Sequence, residues 1–325
     1  MLNIAFCLGH RNLILHSFSY DDEVLSLHKK MIIYMENPAQ ERSVEAIQQK
    51  RIVDLDEVIR QKSARVYNMM PRFILNWLKK IIHQDQLNYI LTKYEHQEGI
   101  EFIESVLNEF GLQVETDGIM DWNTNERYIF VANHPLGGMD GMAFMMIVGR
   151  YFPKVVFPVN DFLLYLPNLR NLFVPINKLG RNPQLIRLLD DTFASDKTLL
   201  YFPAGLCSRR QHGQILDLEW KKTFVTKAKL HKRNIVPVHI TGENSTFFYR
   251  LANIRKALHI HFNFEMIFLV DEMFKQKGKS LLMRFGPVIP YTLLDRSYTD
   301  FEWANLIRDY IYRLGKGDFT PFQPH

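Results

Sequence analysis

The sequence predicts an α/β fold, a mainly parallel mixed sheet flanked by helices, with an N-terminal amphipathic helical extension. From Gly111 onward, short apolar runs rich in β-branched and aromatic residues alternate with stretches of helical period, the pattern of strands joined by crossover helices. Between Glu36 and Gly111 the chain is largely polar and helical in period, apart from one strongly apolar stretch that carries Trp77. A length of 325 residues accommodates one such domain and an extension.

Residues 1–34 lack a clear period, and Met31 and Met35 stand at their end, so this segment is expected to be poorly ordered or a non-native extension. Residues 35–95 are the expected helical, membrane-facing extension. Val44, Ile47, Ile52, Leu55 and Ile59 recur at near-helical spacing. Then RVYNMMPRFILNWLKKIIHQ brings Phe73, Ile74, Trp77, Leu78, Ile81 and Ile82 close to one face, with Arg72, Lys79 and Lys80 beside it. A basic amphipathic helix bearing Trp either lies in a membrane interface or packs on its own domain.

Residues 96–315 form the expected α/β domain and 316–325 a short tail. Its first helix runs from Glu98 to Phe110 and stops at Gly111, a natural C-cap. Strands are expected near Arg127–Ala132, Val155–Pro158, Leu199–Phe202, Ile235–Ile240 and Leu281–Phe285. Asn182-Pro183 supplies an N-cap and a first-turn proline for a helix that turns Leu185, Leu188, Leu189 and Phe193 inward. Thr299 and Glu302 make a capping box for the last helix.

Composition narrows the function classes. A formal net charge of +5 suits an anionic membrane surface and is too small to argue for nucleic acid. Cys7 and Cys207 are far apart and lack a partner motif, so neither a disulfide framework nor a metal site is expected, and a reducing compartment is. The opening run Leu2–Leu8 is broken by His10, Arg11 and Asn12, and no window holds the ~18 apolar residues of a spanning helix. The protein is expected to be soluble or peripheral.

The segment VANHPLGGMDG, residues 131–141, carries the chemistry. An apolar strand ends, Asn133 and His134 follow, and a Pro-Leu-Gly-Gly turn leads to Asp140 at the mouth of an apolar helix. A histidine at the C-terminal end of a sheet strand sits where α/β sheets bind ligands. If Gly137 and Gly138 let the turn fold back, the Asp140 carboxylate reaches the imidazole, fixes its tautomer and stabilises the cation formed when it takes a proton. The competing reading makes Asp140 a helix cap and nothing more.

Three further blocks follow in order: FVPINKLGR at 173–181, FPAGLCSRR at 202–210 and IVPVHITG at 235–242. With the first block they resemble the glycerolipid (lysophosphatidate-type) acyltransferase superfamily over roughly residues 95–290. The resemblance implies that residues 96–315 are a catalytic domain with His134 and Asp140 as its catalytic pair. It also implies that Asn133, Gly137, Gly138, Lys178, Arg181, Gly205, Ser208, Arg209 and Arg210 line the substrate site. The donor would be an acyl thioester of acyl carrier protein or coenzyme A, with no bound cofactor and no metal. The acceptor would be a lyso-lipid, in membrane phospholipid biosynthesis at the inner face of the cell membrane.

Departures from the family pattern carry information. Five residues rather than four separate His134 from Asp140, Asn177 replaces a usual Arg, and Ala204 and Cys207 stand where the family has Glu and Arg. The family's residues there are associated with a glycerol phosphate, which favours bidentate guanidinium contacts. Their loss resembles the hemolysin-like branch that acylates lyso-amino-acid lipids, where Arg209 or Arg210 would hold a single carboxylate. Within residues 142–176, Phe144, Met145, Met146, Phe162, Leu163, Leu164, Tyr165 and Phe173 divide between core and an acyl-chain groove. Three other readings are weaker. Gly205-Leu206-Cys207 lacks the second glycine of a nucleophile elbow, His259 and His261 lack a third metal ligand, and a non-catalytic lipid-binding protein would share the scaffold.

Overall fold

The structure, a computed structural model, describes residues 52–160, 166–176 and 183–324. The proposed extension at 1–34, and Phe162 to Tyr165, Asn177, Lys178 and Arg181, lie outside the described residues.

Four helices lead in: α1 (Leu55–Lys62), α2 (Ala64–Met69), α3 (Arg72–Ile81) and α4 (Gln84–Lys93). Ser63 ends α1 and caps α2, its hydroxyl accepting the Val66 N–H. The apolar residues of α3 divide instead of sharing a face. Leu75 and Leu78, with Ile82, pack on Leu55 and Ile59, whereas Phe73 is 73% and Trp77 50% exposed. His83, at φ 49°, turns the chain into α4. Its Nε2 lies 2.8 Å from Asp271, and its ring stacks on Phe274 at 4.2 Å.

The domain then runs α5 (Gly99–Glu109), β1 (Gln113–Gly118), β2 (Tyr128–Ala132), α6 (Met139–Gly149), β3 (Val155–Asn160), a 3-10 turn, β4 (Phe173–Ile176), α7 (Pro183–Ala194) and β5 (Thr198–Tyr201). A hairpin, β6 (Arg209–Gln211) and β7 (Gln214–Leu216), precedes α8 (Thr223–His231), β8 (Asn234–Ile240) and α9 (Thr246–Ala257). The 3-10 turn Phe264–Phe268, α10 (Leu269–Phe274), β9 (Ser280–Phe285) and α11 (Asp300–Leu314) complete it. The seven-stranded sheet has the order β1-β9-β8-β2-β5-β3-β4, parallel throughout except for the β8–β9 pair.

β2 lies mid-sheet and shows why its sequence reads as a continuous apolar run. Tyr128, Phe130 and Ala132 enter the core under α5 and α6, while Ile129 and Val131 enter the one under α7, α8 and α11. All five expected strands are present within two residues at either end. The unanticipated edge strand β1 reads QVETDG; with little apolar surface to bury, it carries no periodic signal. The capping box on α11 forms as expected. Leu258 to His261 follow α9 and form no strand, so His259 and His261 do not share a strand face. No group of three metal-binding side chains occurs among the described residues.

Candidate active site

The site begins where β2 stops. The Asn133 side chain donates to Ile240 O at 2.8 Å and accepts the Ile240 N–H at 2.7 Å, adding one rung to the β2–β8 ladder. Both ends of the amide are spent and the residue is 3% exposed, which corrects its expected place among the substrate contacts. Asn133 fixes the angle at which the next residue leaves the sheet.

That residue, His134, is held at every polar atom of its main chain. Its N–H donates to Asp217 at 3.1 Å, and its carbonyl accepts the Ser208 N–H at 2.7 Å. The imidazole stacks on Phe202, centroids 4.0 Å apart and planes at 19°. Nδ1 lies 2.9 Å from Asp140 Oδ2.

Asp140 is fully buried. Its Oδ2 also accepts the N–H groups of Leu136 (2.9 Å) and Gly137 (3.3 Å), and its Oδ1 accepts that of Gly141 (2.9 Å). Burial pushes this carboxyl up, but the imidazole and the Leu136 and Gly137 N–H groups more than offset it, leaving the pKa below the usual carboxylate value. The ionised carboxylate only accepts, so Nδ1 is the donor and the lone pair rests on Nε2. The two readings of Asp140 therefore merge: one carboxylate orders both the turn and the imidazole. The extra residue is absorbed at Gly137, φ 83°, where a Cβ would approach Leu269 to 2.7 Å and Cys207 to 3.2 Å.

The remaining expected residues separate. Gly205, φ 66°, spends its N–H on Phe202 O at 3.0 Å, and Gly137 spends its own on Asp140, so neither N–H of these two expected substrate contacts is free for a substrate oxygen. Gly138, at the N-terminus of α6, is the donor that remains. Ser208 is buried, and its hydroxyl lies 2.5 Å from Asp217, so it braces His134 from below. Arg209 is 5% exposed, donates to Glu265 at 2.9 Å and to Cys207 O at 2.6 Å, and so is committed to a buried ion pair. Arg255 closes the other side of Glu265 at 2.9 Å. This corrects the expectation that Arg209 meets an acceptor, since freeing it would leave one oxygen of the buried Glu265 carboxylate unpaired. Arg210 differs: it is half-buried, lies over the Tyr249 ring at 5.3 Å and makes no ion pair among the described residues. The Cys207 thiol is pushed up to about 11 by burial, which suits packing and not nucleophilic attack. Phe144, Met145 and Met146 belong to the core.

Two residues of the site were not singled out in the sequence. Phe202 opens the third block, and its ring is the platform under His134. Asp217, 1% exposed, accepts from the His134 N–H, the Ser208 hydroxyl and Trp220 Nε1. Burial pushes its carboxyl up, and those donors only partly compensate. Its signal was a lone acid between Leu216 and Leu218.

These contacts give a spatial reason for the ordered blocks, since the third and fourth both close on the first. A protein family described as acyltransferase matches residues 57–317. The chain belongs to this acyltransferase family. The acyltransferase is 44% identical over 265 residues to a lyso-glycine lipid O-acyltransferase of Bacteroides thetaiotaomicron, covering 81% of this chain and 97% of the relative. It is 42% identical to one of Phocaeicola vulgatus, covering 81% and 95%. The solved 1-acyl-sn-glycerophosphate acyltransferase PlsC of Thermotoga maritima aligns at 15% identity and a TM-score of 0.41, over 78% of this chain and all of that one. Among the described residues of the acyltransferase, no helix is long and apolar enough to cross a membrane.

Proposed function

We propose that this acyltransferase moves a fatty acyl group from a thioester of acyl carrier protein or coenzyme A to the hydroxyl of a lyso-amino-acid lipid, working peripherally at the inner face of the cell membrane. The observation that carries the reading is the His134–Asp140 contact, which leaves Nε2 as the basic atom at the C-terminal edge of the sheet. Nε2 takes the proton as the acceptor oxygen attacks the thioester carbonyl. The oxyanion that forms is assigned to the Gly138 N–H, at the N-cap of α6. The intermediate then collapses, the C–S bond breaks, and the imidazolium returns its proton to the leaving thiolate. The products are an ester and a thiol, with no covalent acyl-enzyme.

The acceptor class rests on charge. Ala204 and Cys207 remove charged groups from the third block, and Arg209 is consumed internally, so a phosphate dianion finds little there. Arg210 can meet one carboxylate, and the relatives' names point to a glycine lipid. The exposed Phe73 and Trp77 of α3, flanked by Arg72 and Lys80, support a membrane address.

The test is a panel assay: purified enzyme, each thioester donor, and lyso-glycine lipid against lysophosphatidate. Ester formation on the glycine lipid, lost in His134→Ala, is expected. Transfer to lysophosphatidate alone would replace the acceptor assignment, and lipid binding without turnover on either would replace the enzyme by a binding protein.

A further inference from the structure

α9 and the turn that follows it, residues 246–264, lie about 170 positions from α3 in sequence and are linked to it in space through Phe268. Trp77 sets its ring edge-on to Phe268 at 6.0 Å, and Phe268 meets Phe247 of α9 at 5.0 Å. α9 buries Phe248, Tyr249 and Ala252 and leaves Phe247 50%, Ile254 54% and Leu258 65% exposed. Those three recur at i, i+7 and i+11, so they form one stripe along the helix. A run of exposed apolar side chains continuous with Phe73 and Trp77 costs solubility unless it has an occupant.

Charge identifies that occupant. Neither 64–81 nor 246–264 contains a single Asp or Glu, although the chain carries 35 in 325 residues. Arg72, Lys80, Arg250 and Lys256 are exposed in these segments and make no ion pair among the described residues. An apolar stripe edged by unpaired cations fits anionic lipid headgroups above an acyl boundary. It does not fit a second copy of itself, because two acid-free cationic faces repel.

We infer that α9 and residues 258–264 are the second half of the membrane-docking surface, acting with α3. The inference rests on the membrane-surface reading above and adds an element of the catalytic domain to it. The geometry ties docking to chemistry. Asn244, one residue before the α9 N-cap, donates its amide to Pro135 O at 3.3 Å, and Leu269, five positions beyond the unit at the start of α10, packs against Gly137. The chain on either side of the docked unit therefore bears on the loop that carries His134.

The experiment floats the full chain with vesicles of phosphatidylglycerol and phosphatidylcholine, and with phosphatidylcholine alone. Wild type, Ile254→Ser/Leu258→Ser, Arg250→Glu/Lys256→Glu and Phe73→Ser/Trp77→Ser are compared, each checked by circular dichroism. Wild type is expected to float preferentially with the anionic vesicles. Each α9 pair should weaken vesicle binding about tenfold or more, as the α3 pair does, while turnover on detergent-dispersed acceptor stays near wild type. Binding of both α9 pairs within about twofold of wild type overturns the inference. So does a wild-type dimer by sedimentation that the α9 pairs convert to monomer, since the face would then be a subunit interface. Flotation needs no turnover, so loss of the proposed reaction in the panel assay leaves this result readable.

Discussion

Three histidine–aspartate contacts of nearly equal length occur among the described residues, His231–Asp190 at 2.9 Å being one, and of the other two only one has the surroundings of a base. His134 meets Asp140 at 2.9 Å and His83 meets Asp271 at 2.8 Å. Both rings stack on a phenylalanine, Phe202 and Phe274, and both carboxyls are held below their usual range. The difference lies around the carboxylate. Asp140 is fully buried and fixed by three backbone N–H groups from within four positions of itself. Asp271 is a quarter exposed, shares its charge with Lys275 at 2.7 Å, and joins two helices 188 positions apart. The first contact is a constraint on one atom, while the second is a clasp between the extension and the domain. A short His–Asp distance alone distinguishes neither.

The largest effect expected from this contrast is on turnover. His134→Ala should lower kcat by about 10³-fold or more, whereas His83→Ala should leave it within about twofold on detergent-dispersed acceptor. Equal losses in the two variants would erase the distinction. Asp140→Asn should follow, at about 10²- to 10⁴-fold in kcat, because the amide no longer fixes the Nδ1–H tautomer or stabilises the imidazolium.

Asp217 sharpens the comparison from a third direction. It lies beneath the same histidine as Asp140, yet its carboxyl is shifted upward, so the two should impose opposite pH trends on stability. A depressed carboxyl stabilises the fold above its ordinary value near 4, and that contribution fades as pH falls through the folded pKa. A raised one favours the fold most below that value and loses the benefit as pH rises through its folded pKa. Thermal melts should show the deficit of Asp140→Asn narrowing in acid and that of Asp217→Asn narrowing toward neutral pH. At neutral pH Asp217→Asn should cost about 1–3 kcal/mol, since Trp220 Nε1 or the His134 N–H loses its acceptor. The kcat of Asp217→Asn should fall by about tenfold as the main chain of His134 loosens.

Local chemistry was legible in the sequence and assembled chemistry was not. The strand cores, the capping box at Thr299 and the Gly137 turn each depend on residues within a few positions of one another, and all were readable. The sequence also placed His134 and Asp140 together, because a diglycine bend can close six positions. It could not assign Arg209, whose role is fixed by Glu265 at 56 positions' distance, or separate it from Arg210 beside it. Strand alternation sends neighbouring side chains to opposite faces, so two adjacent arginines met different fates. α9 escaped for a related reason: its apolar residues fall on two faces, and nothing in the sequence tells its buried Phe248 and Ala252 from its exposed Ile254 and Leu258.

The smallest effect concerns the clasp, and backbone conformation lets it be dissected. His83 has φ 49°, a left-handed position that a β-carbon tolerates poorly, so its side chain holds the chain in a bend its backbone disfavours. His83→Ala loses the Asp271 contact and the Phe274 stack while retaining the strain. His83→Gly loses the same contacts but removes the strain. The partly exposed His83–Asp271 contact should contribute about 0–1 kcal/mol. His83→Gly should therefore melt close to wild type, with His83→Ala below it by about 1 kcal/mol. If the two variants melted together, well below wild type, the side-chain contacts would carry the bend and the clasp would be as structural as the turn at Gly137. The observed partial exposure of Asp271 argues for the other order, in which the extension is joined to the domain by a hinge cheap to loosen and the imidazole of His134 by one that is not.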